Sequence, residues 1–371
     1  MSITSKTLKA FVDETHLDDG ISKTLAKIFT VPLSLEERNE IIGLIFELTP
    51  EKYTELAKGI WEEAKIHDFE LNDSNADKKV MGVGNWVART MKMTTSIFLG
   101  RFFNKQTPKI VIEGDSWYEH ILIRDIVDWL IHLSKFRIYT LAYGGDWLAN
   151  YIKEGKYLKK LLKEKPDVFL LSGGGNDLVG ESRIKELVHK KPVDLSPAFK
   201  QSLEAALDQR TSLSTEVKKQ IITGHQYLND KFYILMNVLA FEYAFILQSI
   251  KLEPSIKDIH IITHGYDLAI PSNDKGSLLR KMFDNGVWLY NPLDMAGITD
   301  KQLKKCIVWA MLFHFNEILK YFETREDHFH YIDCLGLAGE NDWEDELHLK
   351  SPIYKIIAER IKLKIDQIMK G

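Results

Sequence analysis

The stretch Lys109-Ile-Val-Ile-Glu113-Gly-Asp-Ser116-Trp117 decides the fold of this chain. Three β-branched residues run together without polar alternation, and then a glycine, an acid and a serine end the run. A strand buried on both faces has this texture, because helices cover the two sides of a parallel sheet. The same texture returns in Arg137–Ala142 (RIYTLA), Asp167–Ser172 (DVFLLS), Asp258–Thr263 (DIHIIT) and His328–Cys334 (HFHYIDC). Helical patterns separate these runs at about 117–134, 146–163, 195–250 in pieces, 275–284, 300–324 and 352–369. The alternation predicts a three-layer α/β fold around a five-stranded parallel sheet. A crossover needs far less chain than lies between the third and fourth runs, so a helical insertion is expected at about 180–256.

Upstream of Pro108 the texture is helical only, which predicts an all-α N-terminal domain over 1–105 and an α/β domain over 106–371. Ser34-Leu-Glu-Glu37 reads as a capping box opening a helix whose Ile41, Ile42, Leu44, Ile45 and Leu48 share a face. Thr49-Pro50 repeats the start signal, with proline where no amide hydrogen is needed. A further helical run is expected at about 78–103.

Of 371 residues, 45% are apolar and 27% charged, as in an ordinary globular protein. Lysine and arginine number 49 against 53 acids, a net charge of −4. So even a balance argues against a dedicated nucleic-acid binder. Cys306 and Cys334 are the two cysteines, too few for a disulfide framework or a multi-cysteine zinc site, and both are expected to be buried free thiols. Acids at 13, 14, 18 and 19 interrupt the start of the chain. No signal peptide is read there, and no uninterrupted apolar run approaches membrane-spanning length, so a cytoplasmic location is expected.

In open parallel sheets the chemistry sits beyond the carboxyl ends of the strands. Ser116, separated from the first strand by two residues and expected to open a helix, places a hydroxyl at that edge and an outward-facing amide beside it, although a serine there can also merely cap the helix. Asp345 and His348 are three apart in the loop after the last strand. That spacing lets a carboxylate accept from Nδ1–H and leave Nε2 free to take a serine proton. The competing reading is a solvated acidic loop, since Glu340, Asp342, Glu344 and Glu346 surround the pair. Gly173-Gly-Gly-Asn176-Asp177 follows the third strand, where Asn176 offers a side-chain donor for an oxyanion. Gly145 offers a backbone amide after the second. Glycines in such places are also simply turns.

Together these blocks resemble the SGNH hydrolases, the GDSL-type esterases and lipases. Gly114-Asp115-Ser116, Gly145-Asp146, Gly174-Gly175-Asn176-Asp177 and Asp345-x-x-His348 stand in the family's order over about 109–371. The resemblance implies Ser116 as nucleophile, His348 as base and Asp345 as its orienter. It implies an oxyanion hole from the amides of Ser116 and Gly145 and the Asn176 side chain, and a sheet order of 2-1-3-4-5. Three features depart from the family's pattern: the long third interval, the N-terminal helices, and Trp117 in place of the usual leucine.

Asp115, Trp117, Tyr266, Asp267 and Trp343 are candidate substrate contacts, with a turn closed by Asp267 as an equal alternative. Gly82-Val-Gly84-Asn-Trp-Val-Ala88 has a spacing close to that of a dinucleotide loop, but no strand precedes it. His314, His328 and His330 match no compact metal-ligand spacing, and the stripe Phe232–Phe245 reads as core. The expectation is a serine hydrolase acting on a small-molecule ester through an acyl-enzyme. No metal or other cofactor, nucleic acid or membrane span is called for. Acyl transfer by the same residues is one alternative. The other is a non-catalytic scaffold whose N-terminal helices bind a protein partner, and those helices could instead serve as a lid.

Overall fold

The computed structural model describes residues 9–10, 12–13, 33–53, 89–96, 107–120, 122–273 and 287–370. Five strands, β1 (Lys109–Glu113), β2 (Arg137–Thr140), β3 (Val168–Leu171), β4 (His260–His264) and β5 (Phe329–Ile332), form one sheet in the order β2-β1-β3-β4-β5. Every pairing is parallel, with Ile110 opposite both Ile138 and Val168, and Ile262 opposite His330. Ile110, Val111, Ile112 and all of Val168–Leu171 are fully buried, as a sheet covered on both faces requires.

In chain order the helices are α1 (Leu35–Ile45), α2 (Ile126–Leu133), α3 (Leu148–Glu154), α4 (Lys156–Glu164), α5 (Gly175–Val179), α6 (Pro197–Asp208), α7 (Thr215–His225), α8 (Asp230–Lys251), α9 (Tyr290–Met295), α10 (Lys301–Arg325) and α11 (Ser351–Ile368). The expected 146–163 helix is two helices meeting at Gly155. The expected insertion is α6, α7 and α8. A helix expected over 275–284 and the Gly82–Ala88 run lie outside the described residues.

One expected helix begins late. The pattern after Ser116 suggested a start near 117, yet α2 starts at Ile126. Asp125 is its N-cap: its carboxylate accepts the amides of Val127 and Asp128, and Asp128 accepts the Asp125 amide in return. Such a reciprocal cap fixes the helix start, so the residues between Ser116 and Asp125 are left to form turns.

The described N-terminal residues share the core of the α/β unit. Ile41, Ile42 and Ile45 of α1 are fully buried against α8. The Gln248 side chain donates to the Leu48 carbonyl, and the Tyr53 hydroxyl to that of Phe245. The capping box of Ser34 and Glu37 is formed. Cys306 and Cys334 are both buried free thiols. Helix α8 is long and apolar enough to cross a membrane by length and composition. It lies in the core, with most of its length buried.

Candidate active site

Where β1 ends, Gly114 lets the chain turn against a ring: a Cβ there would stand 2.5 Å from the Tyr118 side chain. The carbonyl of Asp115 accepts the amides of Tyr118 and Glu119, a single turn that does not continue as a helix. Ser116 therefore sits on a turn, and not at the first position of a helix as its sequence context suggested. Its amide has no partner among the described residues. The Asp115 carboxylate is buried beneath the turn. It accepts the Trp117 amide at 3.1 Å, the Ser172 hydroxyl at 3.3 Å and the Tyr266 hydroxyl.

The loop after β5 delivers the other half. Asp345 accepts the amides of Leu347 and His348 at 2.8 Å each, and the Glu344 amide donates to the His348 carbonyl at 2.8 Å. This folds Asp345–His348 into a closed turn that aims the imidazole inward. The Trp117 indole N–H donates to the Leu347 carbonyl at 3.0 Å, tying the histidine loop to the serine turn. Behind the loop, Trp129 of α2 donates to Ser351 at the head of α11.

The result is a continuous relay. His348 Nε2 lies 2.8 Å from Ser116 Oγ, and His348 Nδ1 lies 2.8 and 3.0 Å from the two Asp345 oxygens. Burial pushes the Asp345 carboxyl up. The neighbouring His348 and the two amides outweigh it, bringing Asp345 down to about 2. Burial likewise pulls His348 down, but the Asp345 charge and hydrogen bond outweigh it, and the imidazole sits above its ordinary value. An ionised Asp345 makes Nδ1 the protonated nitrogen of neutral His348, which leaves the Nε2 lone pair facing the serine hydroxyl.

Asn176 lies at the start of α5. Its side-chain amide donates to the Asp146 carbonyl at 2.9 Å, which orients the NH₂ group and leaves its second hydrogen for a ligand. Gly145, one residue earlier than that carbonyl, is exposed with φ +85°, and its amide has no partner among the described residues. Asp115, Ser116, Trp117, Asn176, Tyr266, Asp267 and Trp343 all line a cavity of about 50 Å³. Asp267 also closes a turn, since its carboxylate accepts the amides of Leu268, Gly336 and Ala338 at 2.7, 2.6 and 2.6 Å.

Three contributors escaped the sequence reading. His120 packs edge-on against His348, with ring centroids 4.6 Å apart. Its Nδ1 accepts the amides of Leu122 and Ile123, and burial, with the neighbouring His348, pulls it down to about 3. Lys92, in the helical residues 89–96, is buried against Asp125 and Glu119, and the His120 amide donates to the same Asp125 oxygen. Glu346 is no solvated acid: fully buried, it accepts the amides of Ser272, Leu289 and Tyr290 at 2.8, 3.0 and 2.9 Å. The signal that existed was the spacing of His120, four residues after Ser116.

His328 and His330 flank one side of β5 and stack on His260, while His314 packs against His225 and Phe232. Among the described residues, no group of three or more histidine, cysteine or acidic side chains is arranged to hold a metal ion.

Fold and site together define a class of arrangement: a serine at the carboxyl edge of a parallel sheet, hydrogen-bonded to a histidine that a buried carboxylate orients. No family model matches the chain, and no curated protein does. Among solved structures, a protein provisionally named a platelet activating factor from Streptococcus pneumonia is similar at 11% identity over 79% of this chain and 99% of its own, with a TM-score of 0.38. A likeness so loose carries no argument about activity.

Proposed function

We propose that this chain is a serine esterase of the SGNH hydrolase kind, cleaving a carboxylic ester through an acyl-enzyme. One observation carries the reading: the unbroken line from Asp345 through His348 to Ser116 Oγ, each link 2.8 Å long. In this mechanism Ser116 Oγ attacks the acyl carbon while His348 Nε2 takes the hydroxyl proton. The carbonyl oxygen, now negative, meets the amides of Ser116 and Gly145 and the free hydrogen of Asn176. As the tetrahedral intermediate collapses, the bond to the alcohol oxygen breaks and His348 gives that oxygen its proton. Water, deprotonated by the same imidazole, then releases the acid and restores the serine. Asp345 stays ionised throughout and stabilises the imidazolium that forms in each half.

A fluorophosphonate probe tests this directly, because it phosphonylates a serine only where a base has activated the hydroxyl. The expected result is an adduct on the peptide carrying Ser116 and none in Ser116→Ala. An adduct elsewhere, or no adduct at all, contradicts the reading.

A further inference from the structure

The cavity at Ser116 has a sidedness that bears on the substrate. Ser116 and Asn176 line it, whereas His348 is not among the residues that do. In an esterase the leaving alcohol must reach His348 Nε2 to receive its proton, so the alcohol occupies the histidine side of the carbonyl. The group that extends into the cavity is then the other substituent, the acyl chain.

Its walls are mostly apolar and combine the segments after β1, β3, β4 and β5 with residues of α10 and the start of α9. Val179 ends α5, Leu289 precedes α9, Val308, Met311 and Leu312 project from α10, and Leu347 comes from the histidine loop. The polar wall groups of Asp115, Tyr266 and Asp267 use their hydrogen bonds on one another and on backbone amides. An acyl group bearing a charge or several hydroxyls would lose its water there, with the buried indole N–H of Trp343, unpartnered among the described residues, as its one replacement beyond the oxyanion donors. Size sets the other limit. About one water-sized group needs ~10–15 Å³ measured this way, so the cavity of about 50 Å³ takes roughly three to five such groups.

We infer that the enzyme is selective for short, unsubstituted acyl chains of about two to five carbons, held in a pocket whose far wall is the Val308–Leu312 face of α10. This rests on the esterase reading of Ser116. Acylation forms the bond between Ser116 Oγ and the acyl carbon and breaks that carbon's bond to the alcohol oxygen. The serine proton passes through His348 to the alcohol. Apart from Ser116 and Asn176, the residues lining the pocket contribute no group to the chemistry; they decide which acyl carbon can come within reach.

The test uses the full chain and two ester series, one varying the acyl group from acetyl to dodecanoyl on p-nitrophenol, the other varying the alcohol on a fixed acetyl group. The expected kcat/KM is highest within the two- to five-carbon acyl range and at least about tenfold lower at octanoyl, a methylene in an apolar pocket being worth roughly 10-fold or more. Met311→Ala should raise the octanoyl-to-butyryl ratio about tenfold. Val308→Leu, which adds a single methylene and keeps the helix apolar, should lower the butyryl-to-acetyl ratio. Neither should shift the alcohol series. Octanoyl or longer esters cleaved as fast as butyryl, or variants that change the alcohol preference instead, overturn the pocket assignment. Absence of any Ser116-dependent turnover is a different failure, because it overturns the esterase reading on which the assignment rests.

Discussion

The edge of the His120 ring lies against His348, centroids 4.6 Å apart, and His120 is itself locked by two amides on its Nδ1. A nitrogen accepting two hydrogen bonds cannot hold a proton, so His120 remains neutral when His348 becomes an imidazolium. Lys92 and the His120 amide share one oxygen of Asp125, which links the helical residues 89–96 to the base through the turns after Ser116. His120→Ala should therefore lower kcat about 10- to 100-fold with KM nearly unchanged, because a displaced base costs rate more than binding. Steady-state kinetics with a thermal melt separate this from unfolding; a fall confined to KM would place His120 in ground-state binding.

Lys92→Met leaves the buried carboxyls of Asp125 and Glu119 without their cation. Removing one partner of such a group typically costs about 3–5 kcal/mol. Denaturant unfolding should show a loss of that order, and a change below about 1 kcal/mol would mean that the pair contributes little.

Asn176→Ala removes one oxyanion donor and leaves Ser116 and His348 intact. The expected cost is about 10²–10³ in kcat, or roughly 3–4 kcal/mol, with KM little altered. A strong rise in KM at constant kcat would make Asn176 a ground-state contact.

For pH, a base must be unprotonated, so kcat/KM should rise through the His348 titration and then level off. Asp345 holds His348 above the ordinary value, which is about 6.5, so the inflection should lie above it. Asp345→Asn removes the charge, moves the inflection down and lowers kcat by up to about 10⁴ through the wrong tautomer. Profiles of the two proteins on one activated ester decide it; identical inflections and similar rates would uncouple Asp345 from the base.

The strands were legible because burial on both faces writes runs such as Ile110–Ile112 and Val168–Leu171 directly into the chain. Ser116, Asn176, Asp345 and His348 were legible because strand ends limit where chemistry can sit. The start of α2 was not, because a serine after a strand resembles a cap while the true cap is Asp125 with Asp128. Lys92 and Glu346 were hidden for a different reason. Their partners lie 33 and 56 to 74 residues away in sequence, so a buried ion pair and a buried acceptor look like any solvated lysine and glutamate. His120 is four residues from Ser116, but its role depends on a turn that helical periodicity does not anticipate.

The most direct test of the central claim is turnover by Ser116→Ala. Ser116 is half-buried and its hydroxyl is hydrogen-bonded to His348, so its loss should cost only about 1 kcal/mol of stability and leave the protein folded. Hydrolysis of an activated short-chain ester should fall on the order of 10⁴–10⁶-fold in kcat, to the residue left by the oxyanion donors and binding. A folded Ser116→Ala protein that keeps more than about a tenth of wild-type activity would contradict the assignment of Ser116 as nucleophile.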